Sequence, residues 1–299
     1  MSLNTIVLIL IVLGAANMGW NIFRFFKLMV ITRNDVISSN KERDMKWLNV
    51  AFLLLIFFFC GYVFVGFVTG ANLLIALIMF FGSVFVTIII ILMGHLLDTA
   101  KERSLDISEV LVGVIDARDP NLNGHSRNVQ NITMLLYRYL PSDMKKGINA
   151  VSLEYAALMH DIGKLGVPES ILNKPSSLND EEWNVMHGHP RKGVEILKPL
   201  LTFDKIAPWI EFHHERLDGK GYYGLKGDEI PLPSRIIAVA DTYSAITMKR
   251  SYKPARSHEE AIEIMDAVAG TQLDADLVAI FRTIPKAELE KCRPEEITY

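Results

Sequence analysis

The sequence contains few cysteines and no excess of basic charge. Its two cysteines are Cys60, inside an apolar stretch, and Cys292, near the end of the chain. Two cysteines imply neither a disulfide framework nor a Cys-rich structural zinc site. The formal net charge is -3, which gives no electrostatic reason to propose a nucleic-acid polymer as a partner.

Charged side chains are missing from two long parts of the chain. Asp, Glu, Lys and Arg do not occur from Met1 to Phe23 or from Leu48 to Met93. A helix of about 20 apolar residues is enough to cross about 30 Å of hydrocarbon. We therefore predict a membrane domain over residues 1–95 with about three transmembrane helices, at Leu3–Phe23, Leu48–Val68 and Leu73–Met93.

The first apolar stretch has a second interpretation, a cleaved signal peptide. Arg24 and Lys27 follow it and no basic residue precedes it, which is the wrong flank for a secretory signal. Basic residues are concentrated between the first and second stretches, while the connection Thr69–Asn72 carries no charge. The positive-inside rule then predicts a multi-pass protein in the lipid bilayer with its C-terminal domain in the cytoplasm.

Residues 96–118 form a predicted connecting helix. Ala100, Ile107, Leu111 and Val114 recur at three- to four-residue intervals, which gives an amphipathic helix. One interpretation is the first helix of the soluble domain, packed on that domain's own core. The other is a stalk that joins two copies in a homodimer and carries signals from the membrane.

The remaining residues, 119–299, show helical patterning and no sustained alternation typical of strands. Ser257–Glu260 is typical of a capping box at the start of a helix. Proline and glycine indicate loops, among them Gly163–Pro168 and Pro231–Pro233. We predict an all-α domain that follows the transmembrane helices.

The residues with the clearest chemistry are the neighbours His160 and Asp161, inside the apolar stretch Ala156–Val167. Such a pair can place an imidazole nitrogen and a carboxylate oxygen on one cation, and the second oxygen can reach another cation about 3.5–4 Å away. A pair hydrogen-bonded at a helix end is the other interpretation. The rest of the histidine inventory favours the metal site.

Further histidines and one aspartate lie in contexts that suit metal ligands. Imidazole and carboxylate without thiolate favour iron or manganese, with zinc as an alternative, in a catalytic site that keeps open positions. The candidate metal ligands are His125, His160, Asp161, His189, His213, His214 and Asp241.

The motifs around these residues resemble the HD-GYP family, a metal-dependent branch of the HD phosphohydrolases. The resemblance covers about two thirds of the chain. Besides the ligands above, it rests on Asp116–Pro120, Asn173–Pro175, His213–Tyr222, Ile230–Arg235, Asp241–Thr247 and Gly270–Asp274. It implies an all-helical HD-type domain in a bacterial membrane protein that hydrolyses cyclic di-GMP to pGpG, with GMP as a further product.

The resemblance also assigns roles to residues. Asp161 would bridge two divalent cations that activate a bridging water for in-line attack on the phosphodiester. Lys164 would be the second catalytic residue, reaching the phosphate or the departing oxygen. One cation would be held mainly by His125, His160 and Asp241, and the other by His189, His213 and His214.

Substrate contacts are implied around the signature loop. Arg250 is the candidate for phosphate or base recognition, because its guanidinium matches phosphate oxygens or guanine O6 and N7. The residues that would shape the pocket near the guanines are Asp218, Gly219, Gly221 and Tyr222.

Two departures from the family pattern are visible. The signature Gly-Tyr-Pro reads Gly221-Tyr222-Tyr223, so a residue that fixes φ and has no N–H is absent from the loop. An acidic residue that binds a third metal in some relatives is Asn121 here, so we expect two metals. Two alternatives stay open, a catalytically weak cyclic di-GMP receptor and an HD phosphohydrolase for another cyclic dinucleotide.

Overall fold

The structure, a computed structural model, describes residues 2–35, 41–68, 72–118, 124–199, 205–248 and 254–294. Within these ranges the regular structure is helical, and Ala269 and Leu273 form an isolated β-bridge. The chain divides into two compact units, Met1–Leu105 and Asp106–Tyr299. The prediction of an all-α fold is confirmed.

Three long helices begin in the first unit: α1 (Leu3–Asp35), α2 (Lys41–Val68) and α3 (Leu73–Arg118). Helix α3 is continuous over the third apolar stretch and the predicted connecting helix. Each of the three contains a stretch long and apolar enough to cross a membrane, at Leu3–Val30, Met45–Phe64 and Leu73–Thr99.

The polar residues of α1 contact polar residues of α3. The Nδ2 group of Asn17 donates to Ser83 Oγ at 3.1 Å and to Thr87 Oγ1 at 3.0 Å, and Asn21 Nδ2 donates to the Ser83 carbonyl at 3.1 Å. Hydrogen bonds between helices satisfy polar groups that hydrocarbon could not. The asparagines of the first apolar stretch are therefore compatible with a spanning helix.

The second unit contains ten shorter helices in the described part of the chain. Helix α10 carries the apolar run that ends at Asp241. In chain order they are α4 (His125–Tyr139), α5 (Ala150–Leu158), α6 (Glu169–Leu172), α7 (Asp180–His187), α8 (His189–Leu197), α9 (Ala207–Glu211), α10 (Leu232–Thr247), α11 (His258–Val268), α12 (Ala275–Phe281) and α13 (Lys286–Glu290).

The core of this unit lies around α4, which packs against α5 and α10. Apolar residues three and four apart on α4 face these neighbours, so the helical pattern of the sequence becomes a buried face. Fully buried side chains from four helices meet here: Ile132, Leu136, Leu153, Ile236 and Phe281. This core fixes the helix ends from which the candidate ligands project.

Local predictions have mixed outcomes. The capping box is confirmed, because Ser257 and Glu260 cap each other's backbone N–H groups at the start of α11. The two predicted loops are wrong in part. Ile162–Gly166 forms a 3-10 helix, and Pro231–Pro233 leads directly into α10, because proline is tolerated in the first turn of a helix.

Candidate metal centre

The candidate ligands lie at helix ends, apart from Asp241 inside α10. His125 begins α4 after Gly124, whose φ of 72° lies in the left-handed region that suits glycine. His160 and Asp161 lie between α5 and the 3-10 helix, His189 begins α8, and His213 and His214 follow α9.

Two groups of donor atoms meet at Asp161. One contains Asp161, His189, His213 and His214, and the other contains His125, His160 and Asp161, with ligand atoms within 4.8 Å of one another in each group. Asp241 Oδ1 adjoins the second group, 3.0 Å from His125 Nε2 and 4.0 Å from His160 Nε2. The structure therefore brings all seven candidate ligands together around one shared carboxylate.

Backbone carbonyls set the tautomer of three of these imidazoles. Nδ1 contacts the carbonyl oxygen three residues earlier at 2.8 Å in His160, 2.8 Å in His189 and 2.6 Å in His213. A carbonyl only accepts, so Nδ1 carries the hydrogen and Nε2 keeps its lone pair. Metal-ligating histidines commonly have this arrangement.

The Nε2 atoms of these three histidines are buried and have no hydrogen-bond partner among the described residues, and Asp161 Oδ1 shares that property. His189 Nε2 lies 3.1 Å from Asp161 Oδ1, yet the two atoms are not aligned as a hydrogen bond. Lone pairs facing one another in a buried site are costly unless a cation lies between them. The residues present thus fit divalent metal ions.

The charges of the site suit metal binding at neutral pH. Burial lowers the pKa of His214 to about 3, and it lowers the pKa of His213 well below its usual value, with neighbouring imidazoles adding to both shifts. Burial would raise the pKa of Asp161, but Lys164 and His160 hold it well below its usual range. A neutral imidazole at His213 and His214 and an ionised carboxylate at Asp161 are the protonation states that metal ions need.

Lys164 lies against the shared carboxylate. Its Nζ is 2.7 Å from Asp161 Oδ2, one helical turn away in the 3-10 helix. The 3-10 helix is also anchored from α3, because Arg118 donates to the carbonyl oxygens of Leu165 and Val167. The segment after Asp161 is therefore held in place by the Lys164 side chain and by hydrogen bonds to its backbone carbonyls.

A cavity of about 420 Å³ lies beside the candidate ligands. Its metal-side wall includes His213, His214 and Asp241. Apolar side chains of α10 and α11 form a second wall, and polar side chains complete the lining. The lining also includes Arg216, Tyr222, Ala238, Ala245, Ile264, Val268 and Gln272.

The predicted substrate residues have different positions. Tyr222 lines the cavity, and its ring centroid is 4.8 Å from that of His214. Asp218 accepts two hydrogen bonds from Arg216, and Gly219 turns the chain with φ 75°. At Gly221 a Cβ would lie 2.6 Å from Glu215 Cα, so the loop needs glycine there. Arg250 and Asn121 lie outside the described residues.

Two groups at the site had no recognisable signal in the sequence. Ser244 Oγ lies 2.9 Å from His125 Nδ1 and accepts from Asn128 Nδ2 at 2.9 Å. Arg216 NH1 donates to Gln272 Oε1 at 3.0 Å beside the cavity. These contacts join residues far apart in the chain, so only the packing of the helices reveals them.

A family model described as the HD domain matches residues 109–277. Among curated relatives, the 3'3'-cGAMP-specific phosphodiesterase 3 of Vibrio cholerae is 39% identical over 171 residues, which is 56% of this chain and 36% of that protein. A cyclic di-GMP phosphodiesterase of Vibrio cholerae is 36% identical over 187 residues, or 58% and 38% of the two chains. The chain thus spans less than half the length of these relatives.

A solved structure of a cyclic GMP-AMP specific phosphodiesterase of Vibrio cholerae is also similar. It shares 19% sequence identity and a TM-score of 0.48, covering 62% of this chain and 51% of that chain.

Proposed function

Because the chain belongs to the HD domain family, in its HD-GYP branch, we propose that it is a metal-dependent phosphodiesterase that hydrolyses cyclic di-GMP to pGpG. GMP is the further product if the linear dinucleotide is cut again. In this proposal residues 119–299 form the catalytic domain, residues 96–118 the connecting helix and residues 1–95 the membrane domain.

The observation that carries the proposal is the meeting of two donor groups at one buried carboxylate, Asp161. It is surrounded by histidine Nε2 atoms that have no hydrogen-bond partner among the residues that the structure describes. Two cations held by a shared carboxylate are the arrangement that phosphoryl-transfer enzymes use to stabilise the attacking and leaving oxygens. Iron and manganese suit these nitrogen and oxygen donors, and zinc is the alternative.

In this mechanism the chain's own residues would bind the cations and orient the imidazole ligands. His125, His160 and Asp241 would hold one cation, and His189, His213 and His214 the other. Two bound divalent cations would supply an activated water and neutralise the charge of the phosphodiester. The carbonyl contacts at Nδ1 of three histidines keep their lone pairs directed at the site.

Lys164 would contribute a positive charge beside the cations. Its Nζ lies 2.7 Å from the Asp161 carboxylate. From there it can bind a phosphate oxygen or give a proton to the departing oxygen. Tyr222 would line the substrate side, with its ring near His214 and His189.

A second substrate is favoured by the relatives. Curated proteins with similar identity carry the names 3'3'-cGAMP-specific phosphodiesterase and cyclic di-GMP phosphodiesterase. Both substrates are cyclic purine dinucleotides with the same phosphodiester chemistry. 3'3'-cGAMP is therefore the alternative substrate of the same site.

We propose that the protein is anchored in the bacterial cell membrane with the catalytic domain in the cytoplasm. The three long apolar helices support the anchor. Basic residues between the first and second of them, and after the third, support the orientation.

The test is chromatography of the products after the full-length chain, in detergent with Mn²⁺ or Fe²⁺, is incubated with each dinucleotide. We expect pGpG or GMP from cyclic di-GMP with the wild-type chain and none with Asp161→Ala. Turnover that Asp161→Ala retains would refute the bridging role. A folded wild-type chain that binds two metals and cyclic di-GMP without product would be a receptor instead.

A further inference from the structure

The cavity beside the candidate metal centre has a polar corner made by Arg216, Asp218 and Gln272. Arg216 donates from Nε to Asp218 Oδ1 at 3.0 Å and from NH2 to Asp218 Oδ2 at 2.8 Å. Its NH1 group donates to Gln272 Oε1 at 3.0 Å. Arg216 and Gln272 both line the cavity.

This hydrogen bond fixes which end of the Gln272 amide contacts Arg216. A guanidinium has only donors, so the group that it contacts on Gln272 must be the oxygen. The Nε2 group of Gln272 is then left with two hydrogens, and no residue in the described part of the chain accepts them. Gln272 consequently offers donors to a ligand.

Arg216 adds to this donor surface. A guanidinium carries five N–H groups, and Asp218 and Gln272 take three of them. The bidentate pairing with Asp218 holds the plane of the guanidinium in place. The corner is therefore an array of donors whose guanidinium is held in place by Asp218 and Gln272.

The carboxylate of Glu215, which also lines the cavity, is already engaged. Its Oε1 accepts from the Tyr223 N–H at 2.6 Å and its Oε2 from the Leu225 N–H at 2.7 Å. Asp241, the other acid in the lining, is a candidate metal ligand. The acidic groups of this cavity are thus occupied by other partners.

Part of the cavity lining is apolar. Ala238 and Ala245 of α10, with Ile264 and Val268 of α11, face the space beside the donors. A volume of about 420 Å³ lies at the low end of the range of about 300–1,000 Å³ typical of small-ligand pockets, so it suits one base of a dinucleotide. Flat aromatic rings fit between apolar walls, and the low polarity strengthens hydrogen bonds at the edge.

We propose that this cavity is a guanine-reading subsite in which Gln272, oriented by Arg216, donates to the acceptor edge of the base. Guanine presents O6 and N7, which are both acceptors, whereas adenine presents the N6 amino donor beside N7. The NH₂ group of Gln272 can donate to O6 and N7 of guanine. The amino group of adenine is itself a donor, so it cannot accept from that NH₂ group. The inference rests on the proposed function and specifies one base of its substrate.

The expected discrimination follows from the value of a good base contact, about 1–3 kcal/mol or about 5- to 150-fold. Cyclic di-GMP and 3'3'-cGAMP each contain a guanine, and cyclic di-AMP contains none. The subsite therefore accepts the first two and rejects the third.

The test compares the three dinucleotides on the full-length, metal-loaded chain and on two variants of Gln272. Gln272→Glu keeps the length of the side chain and its contact with Arg216, but it turns an acceptor toward the base. Gln272→Met keeps the approximate shape and offers neither donor nor acceptor. The readout is the ratio of kcat/KM for each guanine-containing dinucleotide to that for cyclic di-AMP.

We expect a ratio of about 5 to 150 in the wild-type chain, a ratio near one in Gln272→Met, and a ratio below that of Gln272→Met in Gln272→Glu. A wild-type chain without guanine preference, or a Gln272→Glu variant with the wild-type ratio, would overturn the assignment.

Failure of the proposed function gives a different pattern. If the wild-type chain turns over no dinucleotide, the same ranking is measured as Kd by calorimetry. If the wild-type chain binds the guanine-containing dinucleotides more tightly than cyclic di-AMP and Gln272→Glu reverses that order, the proposed phosphodiesterase activity is rejected and the subsite is retained. Absence of binding to both guanine dinucleotides would reject the subsite as well.

Discussion

The backbone N–H of Tyr223 donates a 2.6 Å hydrogen bond to Oε1 of the buried carboxylate of Glu215. Leu225 donates to the other oxygen of the same carboxylate. Tyr223 occupies the place of the signature proline, which has no N–H to donate. In this chain the signature loop is thus restrained by hydrogen bonds to Glu215 where the family pattern uses a rigid ring.

Tyr223→Pro should therefore weaken the loop, although it restores the family signature. The change removes one donor from a buried charged acceptor, which costs about 1–3 kcal/mol. We expect a lower midpoint of thermal unfolding for the full-length chain, measured by intrinsic fluorescence. Tyr223→Phe keeps the N–H and the ring and should unfold close to the wild type. Equal midpoints for Tyr223→Pro and Tyr223→Phe would contradict this account.

Gly163→Ala should displace the Asp161 carboxylate from His189. A Cβ at Gly163 would collide with the carbonyl oxygen of His189 and the backbone nitrogen of Gly193, so flexible side chains cannot relieve the contact. Such overpacking costs about 1–3 kcal/mol. We expect weaker metal binding and a lower unfolding midpoint.

The matched control for Gly163→Ala is Gly113→Ala in α3, where a Cβ meets nothing within 4 Å. Alanine is favoured over glycine inside a helix by up to about 1 kcal/mol, so this variant should be as stable as the wild type or slightly more so. Wild-type metal affinity in Gly163→Ala, measured by calorimetric titration, would count against a close fit between the 3-10 helix and α8.

Ser244→Ala should reduce metal affinity without removing a ligand. Ser244 Oγ lies 2.9 Å from Nδ1 of His125 and helps to orient that imidazole. Loss of such an outer partner lowers metal affinity about 10- to 100-fold. The control is Ser234→Ala in the same helix. It removes a buried hydroxyl that donates to the carbonyl oxygens of Pro208 and Trp209, and not to a candidate ligand. If the two variants bind Mn²⁺ equally well, Ser244 has no positioning role.

The sequence was informative where chemistry is local. The neighbours His160 and Asp161 stand out inside an apolar stretch, and the other histidines with Asp241 then favoured a metal site over a simple hydrogen-bonded pair. The capping box at Ser257 was readable because its partner is three residues away. The helical patterning of residues 119–299 likewise predicted helices such as α4, which has a buried face in the structure.

Contacts between helices were not readable in this way. Arg216 and Gln272 are 56 residues apart, and Ser244 meets His125 across 119 residues. Nothing in their local sequence sets the register of α10 against α4 or of the signature loop against the turn after α11. The loops around Gly163 and Pro231 were predicted wrongly in part, because glycine and proline are compatible with a 3-10 helix and with a helix start as well as with a loop.

Lys164→Met should lower turnover and leave the metal content unchanged. Lys164 Nζ contacts Asp161. In the proposed mechanism it would supply a charge or proton at the phosphate, and such proton transfer contributes about 10²- to 10⁴-fold. The kcat at saturating Mn²⁺ is the measurement. Lys192→Met removes a similar side chain that donates to the Gly166 carbonyl, and it should keep most of the turnover. Loss of metal in Lys164→Met would assign the lysine to folding of the site instead.

The most direct measurement is a titration of the metal-free, full-length chain with Mn²⁺ while the hydrolysis of cyclic di-GMP is followed by chromatography. Because Asp161 joins two donor groups, the account predicts that pGpG formation rises as the second equivalent of metal binds and is absent from Asp161→Ala. Full turnover by the metal-free protein or with a single equivalent of Mn²⁺ would contradict a site in which one carboxylate holds two cations. Full turnover by Asp161→Ala would contradict it as well.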